Sequence, residues 1–210
     1  MTRDDDYKVE TICKRVATTM IIQWHYLHRA PPISFALGLF FDKKLIGVCT
    51  FGIPASRSVQ KSACPTNPNL VIELNRLWVS DCAPKNTESW FVSRAMKFLP
   101  PRIVVSYADT SFGHVGYIYR ALNFFYAGWT DMERKTPRFD YIVPGKHSRD
   151  AFRGGVAQYT AKIRRQPKVK YWTITGNARD RASLLRLAGW RQMSWKTNPP
   201  PLQGLKQCAT

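Results

Sequence analysis

VIELNRLWVSDCAPKNTESWFVSRAMKFLPPRIVVSYADTSFGHVGYIYRALNF, residues Val71 to Phe124, decides the fold. Val71 to Val79 alternates apolar and polar residues, the period of a half-buried strand. A polar turn, Ser80 to Asn86, follows, and Thr87 is placed to cap a helix whose buried stripe is Phe91, Val92, Ala95, Met96 and Leu99. Pro100 and Pro101 stop that helix, because neither ring nitrogen can donate a hydrogen bond. Ile103 to Tyr107 is a short β-prone run ending at Asp109, and Val115, Ile118, Tyr119 and Leu122 mark a second helix. The unit reads strand, loop, helix, strand, helix. It sets a helix N-terminus beside a strand end, where a phosphate-bearing ligand is well placed.

Working outward, Tyr7 to Thr11 reads as an opening strand. Ile12, Val16, Met20 and Trp24 recur every four residues, which predicts a helix running out through Trp24-His25-Tyr26-Leu27-His28-Arg29 to Pro31-Pro32. Ile33 to Phe41 and Leu45 to Phe51 form a hairpin about Asp42-Lys43-Lys44, and Ile53 to Asn69 reads as an exposed loop. Beyond the central unit, Phe125 to Trp129 and Tyr171 to Thr175 are predicted strands, and Ala182 to Leu187 is a short helix ended by Gly189. The tail from Asn198 onward is expected to be loose.

The chain has 210 residues, enough for one well-buried α/β domain, and a formal charge of +18 with a pI near 10.1. Such a field attracts polyanions, and nucleic acid is the leading partner. A membrane surface lacks the amphipathic basic helix it would need, and no apolar run approaches membrane-span length. Five cysteines (13, 49, 64, 82 and 208) form no CxxC pair, which points to reduced thiols in a cytoplasmic protein. The acidic start, Asp4-Asp5-Asp6, is not that of a signal peptide. The charge concentrates between about residues 131 and 170, where Arg134, Lys135, Arg138, Lys146, Arg149, Arg153, Lys162, Arg164, Arg165, Lys168 and Lys170 interleave with Tyr141, Phe152 and Tyr159. This segment is expected to hold DNA phosphates.

The order of the central unit resembles that of GNAT-fold acyltransferases. Tyr119-Arg120-Ala121-Leu122-Asn123-Phe124 resembles their Tyr-x-x-x-Gly-Phe segment, with Asn123 where glycine is usual. The glycine-rich pyrophosphate signature of that fold is missing, and Lys85-Asn86-Thr87-Glu88-Ser89 stands in its place. Lys85, Asn86, Thr87 and Ser89 are therefore the expected cofactor contacts, with Glu88 opposing them electrostatically. A closer resemblance is to the phage Mom DNA-modification proteins. It is carried by Trp24-His25-Tyr26-Leu27-His28, Glu73-Leu74-Asn75-Arg76-Leu77, Glu88-Ser89-Trp90-Phe91-Val92-Ser93-Arg94, and Ser106-Tyr107-Ala108-Asp109-Thr110 through Gly113 to Tyr119. These pieces cover roughly the first two thirds of the chain in order. The resemblance implies conversion of adenine N6 in double-stranded DNA to a carbamoylmethyl derivative, which shields phage DNA from host restriction.

Under that resemblance, Asp109 either hydrogen-bonds N6 and takes its proton or caps the next turn. Tyr119 is either a general acid, as the fold's helix tyrosine is toward a coenzyme A thiolate, or a core aromatic. Arg76, mid-strand, needs an acceptor, and strict alternation puts Glu73 on the opposite face, which favours a substrate or donor contact. Ser93 either contacts ligand or bonds a carbonyl of its own helix. Tyr26, Trp78 and Trp90 are candidates to stack on a flipped base, and His114 to contact phosphate. His25 and His28, three apart, share a helix face at a spacing that suits iron, or are a helix-end pair. Cys82 is expected to be inert. The donor is acetyl-CoA or another acyl or glycyl donor. Plain acetyl transfer joins nitrogen to a carbonyl carbon, whereas a carbamoylmethyl group joins it to a methylene, so the two reactions form different bonds.

The expectation is a single GNAT-like α/β domain over residues 1–197, with a mixed central sheet flanked by helices, basic insertions and a loose tail at 198–210. It acts on double-stranded DNA in the host cytoplasm, without a membrane, and a homodimer is compatible with it. The competing readings are an acetyltransferase for another amine and a non-catalytic basic DNA-binding protein.

Overall fold

A computed structural model describes residues 7–131, 135–144, 151–152, 155 and 157–193. Along the chain come β1 (Tyr7–Thr11), α1 (Lys14–Trp24), β2 (Phe35–Phe41), β3 (Lys44–Gly52), α2 (Arg57–Ala63), β4 (Val71–Val79) and α3 (Thr87–Ala95). They are followed by β5 (Ile103–Asp109), α4 (Tyr117–Ala121), β6 (Phe125–Trp129), β7 (Phe139–Ile142), β8 (Ala161–Arg164), β9 (Lys168–Ile174) and α5 (Ala178–Leu187). Seven strands form one sheet in the order β1-β2-β3-β4-β5-β9-β6, and β7 with β8 forms a separate hairpin. Every neighbour is antiparallel except β4 and β5, so the sheet is mixed, as expected.

The two faces of the sheet bury different helices. Ile72, Leu74 and Val104 pack on one face with Phe91, Val92, Ala95 and Leu99, the stripe predicted for α3. On the other, Val71, Ile103, Val105 and Trp172 pack with Ala63 of α2 and Leu184 of α5, while Ala17 and Ile21 of α1 cover Ala36 and Val48. Asp42 (φ 45°) and Lys43 (φ 61°) both take positive φ between β2 and β3, the twist-matched geometry of a tight hairpin.

β4 and β5 are the exceptional pair. They bond only through Val71, Ile72 and Glu73 against Ile103, Val104 and Val105 and then part, leaving β4 from Asn75 to Val79 without a strand partner on that side. At the parting point β4 also bulges: Thr50 faces Arg76 and Phe51 faces Leu74, so Asn75 is an extra residue. Asn75 is held there by a bond from Thr50 Oγ1 to its Oδ1 (2.7 Å) and by its own Nδ2 donating to Pro32 O (2.7 Å). The bulge resets the alternation. Glu73 and Arg76 come to lie on one face, correcting the expectation that they point apart.

Other local expectations fail for identifiable reasons. The helix predicted through Arg29 stops at Trp24: His25 is extended (ψ 135°) and His28 left-handed (φ 44°), which removes the shared helix face on which the histidine metal pair depended. The stretch from Ile53 to Asn69 is not all loop, because Val59, Ala63 and Cys64 pack onto the sheet and support α2 between flanking prolines. The cap of α3 is Asn86 (φ 69°), while Thr87 is its first residue and donates from Oγ1 to Pro84 O (2.6 Å). α5 starts earlier than predicted, at a reciprocal capping box between Asn177 and Asp180. β9 likewise starts earlier, so Lys168 and Lys170 belong to the central sheet rather than to a basic insertion. Arg134, Lys146, Arg149, Arg153 and the tail at 198–210 lie outside the described residues.

Replacing Asn75 by Ala removes both bonds that hold the bulge, at about 1 kcal/mol each. Urea denaturation is expected to show Asn75→Ala about 2 kcal/mol less stable than the parent; a loss below about 0.5 kcal/mol would mean that the strand bulges without these bonds.

Candidate active site

Where β4 and β5 part, a cavity of about 250 Å³ opens, lined by residues that include His25, Tyr26, Glu73, Arg76, Tyr107, Asp109, His114, Tyr119 and Lys168. A second cavity, of about 420 Å³, lies over the Ser80–Ser89 loop and the first turn of α3. Tyr117 and Ile118 wall both, so the two form neighbouring compartments of one cleft.

Asp109 ends β5 and is buried. Its Oδ1 accepts from Ser111 N (3.1 Å) and its Oδ2 lies 2.5 Å from Lys168 Nζ, so the capping role and the cleft role coexist in one carboxylate. Burial pushes its pKa up, but the hydrogen bond and charge of Lys168, with the bonds from Ser111, outweigh it and hold the group below the usual aspartate value. This favours the ionised form of Asp109.

Glu73 is the reverse. Burial raises its carboxyl above the ordinary range, opposed by Arg76, by a backbone bond from Ala55 and by Lys168. Two carboxylates in one cavity are pushed apart in pKa, the pattern expected where one orients and the other exchanges a proton. Strict alternation hid Glu73 from the sequence reading. The signal that could have exposed it is an Asn in mid-strand beside the Arg, a residue disfavoured in regular β structure.

Arg76 donates from Nε to Arg29 O (3.4 Å) and from Nη1 to Asn75 O (2.5 Å). These carbonyls satisfy part of its fork and aim it across the cavity. Desolvation first, then Arg29, lowers its pKa, while Tyr26 and Glu73 oppose that shift. Tyr26 stands in an aromatic group, 4.2 Å from the His25 ring, 4.4 Å from Phe112 and 5.2 Å from His114, centroid to centroid. Burial pushes its hydroxyl up to about 12.

Tyr119 lies on the opposite face of the sheet, with its hydroxyl 2.7 Å from Ser106 Oγ, which also bonds Leu74 O at the parting point. Burial raises its pKa and keeps it protonated, as a general acid must be. Its helix is set by Gly116 (φ 88°), where a Cβ would meet Tyr171 Cε2 at 2.3 Å, and by Asn123 (φ 54°), whose left-handed conformation explains an Asn where the resemblance has glycine.

The remaining candidates separate. Lys85, Asn86, Thr87 and Ser89 do line the α3 cavity, and Asn86 makes no side-chain capping bond there. Ser93 is half-buried in α3 and lines neither compartment. Trp78 stacks on Trp24 (6.0 Å) and Trp90 packs on Tyr7 (5.8 Å), which takes both from the cleft lining. His25 Nδ1 accepts from Leu27 N (3.1 Å), and burial, with Arg76, His114 and His28 adding to it, lowers its pKa to about 4. His28 Nδ1 bonds Ile22 O (2.9 Å) instead. Among the described residues no three His, Cys, Asp or Glu stand together as a metal site, so the expected iron ligands do not fit. Cys82 is exposed.

Of the basic segment, Lys135, Arg138, Arg164 and Arg165 line a third cavity, of about 360 Å³. Arg138 bonds Asp131 (3.1 Å) and Arg165 pairs with Asp140, so part of this charge is neutralised internally. Lys162 lies over Phe139 (4.1 Å) and Lys170 over Trp190 (5.4 Å). No helix among the described residues is long and apolar enough to cross a membrane.

Comparison with known proteins places these features in context. The model of the Mom protein family matches residues 6–191. The chain is 35% identical over 130 residues to "Methylcarbamoylase mom" of Escherichia phage Mu, covering 59% of this chain and 54% of that protein, so the match spans about half the relative's length. Among solved structures it is similar to a GNAT-family acetyltransferase of Bacillus cereus (10% identity, TM-score 0.46, 81% of this chain and 99% of that one). It is also similar to a GNAT-superfamily phosphinothricin acetyltransferase of Sinorhizobium meliloti in complex with acetyl-CoA (9% identity, TM-score 0.47, 81% and 89%).

Because the pKa of Asp109 is depressed on folding, its stabilisation is present above the unfolded value, about 3.9, and lost as pH falls through the lower folded value. Thermal melts of the parent and Asp109→Asn are expected to differ at neutral pH and to converge in acid. A gap that stays constant with pH would show that the ion pair adds nothing.

Proposed function

The chain belongs to the Mom protein family, and on that premise we propose that it is a transferase converting adenine N6 in double-stranded DNA to its carbamoylmethyl derivative, a modification that protects phage DNA from restriction. The observation that carries this reading is the opposed pair of carboxylates, Glu73 and Asp109, in the β4–β5 cleft beside a compartment at a helix N-terminus.

Adenine N6 is a weak nucleophile because its lone pair is delocalised into the ring. It gains by being oriented and by losing a proton as the new N–C bond forms. Asp109, ionised and fixed by Lys168 and Ser111, accepts a hydrogen bond from N6–H and orients it. Glu73, with its raised pKa, takes the departing proton. Arg76, on the same face, stabilises negative charge developing on the donor. N6 lies within the duplex, so the adenine enters the cleft flipped from its stack, with Tyr26 as the ring that receives it.

The second compartment fits an acyl or glycyl donor of coenzyme A type. Lys85 and the first turn of α3 would hold its pyrophosphate, against Glu88, and the unpaired edge of β4 offers backbone groups to an extended, amide-bearing arm. To form the N6–CH2 bond, that donor must carry its leaving group on the methylene that already bears the carboxamide, because a thioester reacting at its carbonyl carbon would give an N-acyl adenine instead. Tyr119, protonated at the floor of the cleft, is the residue placed to return a proton to the leaving group.

Lys135, Arg138, Arg164 and Arg165 then serve DNA phosphates. With Lys135 and Arg164 both changed to Ala, affinity for duplex DNA is expected to fall, and the slope of log K against log salt to flatten by about two phosphate contacts, roughly 1.8. An unchanged slope would place the DNA elsewhere.

The reaction itself is tested by nucleoside mass spectrometry of DNA from cells producing the chain. An adenosine of carbamoylmethyl mass is expected, and Glu73→Gln should lower its yield about 10²- to 10⁴-fold while leaving DNA binding intact. The acid limb of the rate profile should lie above the ordinary glutamate pKa of about 4.3, since Glu73 must be ionised to accept a proton. Acetylated adenine would instead support plain acetyl transfer, and unmodified DNA beside folded protein would overturn the DNA-modification reading in favour of another amine substrate or DNA binding alone.

A further inference from the structure

We propose that Lys168 is a base-reading residue: its ammonium and the Asp109 carboxylate form one donor–acceptor edge that selects adenine through N6–H and a ring nitrogen beside it. This deepens the proposed function and rests on it.

Sequence alone counts Lys168 among the phosphate contacts, but the strand register moves it. β9 pairs with β5 so that Lys168 stands directly opposite Asp109. Its backbone N–H is fixed by Thr130 Oγ1 (2.8 Å), and its Nζ reaches Asp109 Oδ2 at 2.5 Å inside the cleft. The two partners are unequally exposed, 8% for the Asp109 side chain and 37% for that of Lys168. The carboxylate is therefore an anchored acceptor, while the Lys168 side chain, paired with it, is the more exposed partner in the cavity that both line.

The hydrogen-bonding capacities are complementary to one base pattern. An ammonium has three donors and an ionised carboxylate about four acceptor sites, so their mutual contact leaves each with capacity for a ligand. Adenine presents a donor, N6–H, next to an acceptor, N7 on one side and N1 on the other. Guanine presents O6, an acceptor, where adenine has its amino group, and thymine presents O4. An acceptor and a donor held side by side thus accept adenine and set the Asp109 anion against the carbonyl oxygen of guanine or thymine; cytosine, with N4–H beside N3, matches the N1 side of adenine, so it is N7 readout that separates adenine from it. Glu73 and Arg76 across the cavity remain available for proton transfer and charge stabilisation.

The test needs no donor molecule. Duplex oligonucleotides carrying one adenine, 7-deazaadenine, 1-deazaadenine or guanine opposite an abasic site present the base already unpaired. Affinities of the full chain are measured by fluorescence anisotropy. The parent is expected to bind the adenine duplex on the order of tenfold more tightly than the guanine duplex and one of the two deaza duplexes. The deaza analogue that loses affinity identifies the nitrogen that is read. Lys168→Met should bind the adenine duplex and that deaza duplex equally, whereas Lys168→Arg, which keeps donors on the same stem, should retain part of the preference. Thermal melts show whether each variant folds.

Equal binding of adenine and both deaza duplexes by the parent would overturn the inference without reference to any variant. A preference that survives in folded Lys168→Met would also overturn it, leaving Lys168 as a support for Asp109 alone. Failure of the proposed function looks different: no modified adenosine in DNA from cells producing the folded chain, whatever the affinities for these duplexes.

Discussion

The parting of β4 from β5 is the constraint on which the rest of the structure depends. Two parallel strands that stay paired would bury their facing backbone groups in each other. Here pairing ends after three residues, and the Asn75 bulge bends and twists β4 at that point. Ser106 holds the apex, bonding both Leu74 O and the Tyr119 hydroxyl. One local defect thereby opens a cavity, frees a strand edge and rotates Arg76 onto the face of Glu73. Without the bulge, one of those two side chains would lie against α3 and the core it covers.

The same geometry explains the electrostatics. Glu73 lies before the bulge, where the strands are still paired and solvent is thin, so burial dominates its titration. Asp109 lies at the far end of β5, also withdrawn from water, but within reach of Lys168 and of a backbone N–H in the turn it caps. Both carboxylates are desolvated, and compensation outweighs burial at Asp109 but not at Glu73. Their difference comes from strand position and register rather than from residue type, and it supports the proposed division between an orienting anion and a proton acceptor.

Much of this was legible in the sequence. The β4-loop-α3-β5-α4 order followed from alternation, prolines and helical spacing, and the buried stripe of α3 came out as Phe91, Val92, Ala95 and Leu99. Asp109, Arg76, Tyr26 and Tyr119 do meet at one cleft. What stayed hidden depended on register and on tertiary support. A single inserted residue inverted the facing of Glu73, which period-two reasoning cannot foresee. Lys168 looked like one more basic residue until β9 was aligned against β5. His25 and His28 lost their common face because the chain leaves the helix at Trp24, and α2 formed where prolines suggested loop because its apolar side had a sheet to cover. The β7–β8 hairpin, rich in charge, carried too weak an alternation to be seen.

The bond to be made gives the two compartments their meaning. In the proposed reaction, joining N6 to a methylene rather than to a carbonyl carbon avoids the tetrahedral oxyanion that an acyl transfer site would have to stabilise. The demand then falls on alignment of the nitrogen with the donor carbon and on timely loss of one proton. A rigid anion at the end of β5 answers the first, and a basic carboxylate at the start of the parting answers the second. Tyr117 and Ile118, shared by both compartments, are the wall across which the two reactants must meet. Under the proposed function, a flipped base beside Tyr26 and a donor over α3 would occupy adjoining compartments on either side of that wall.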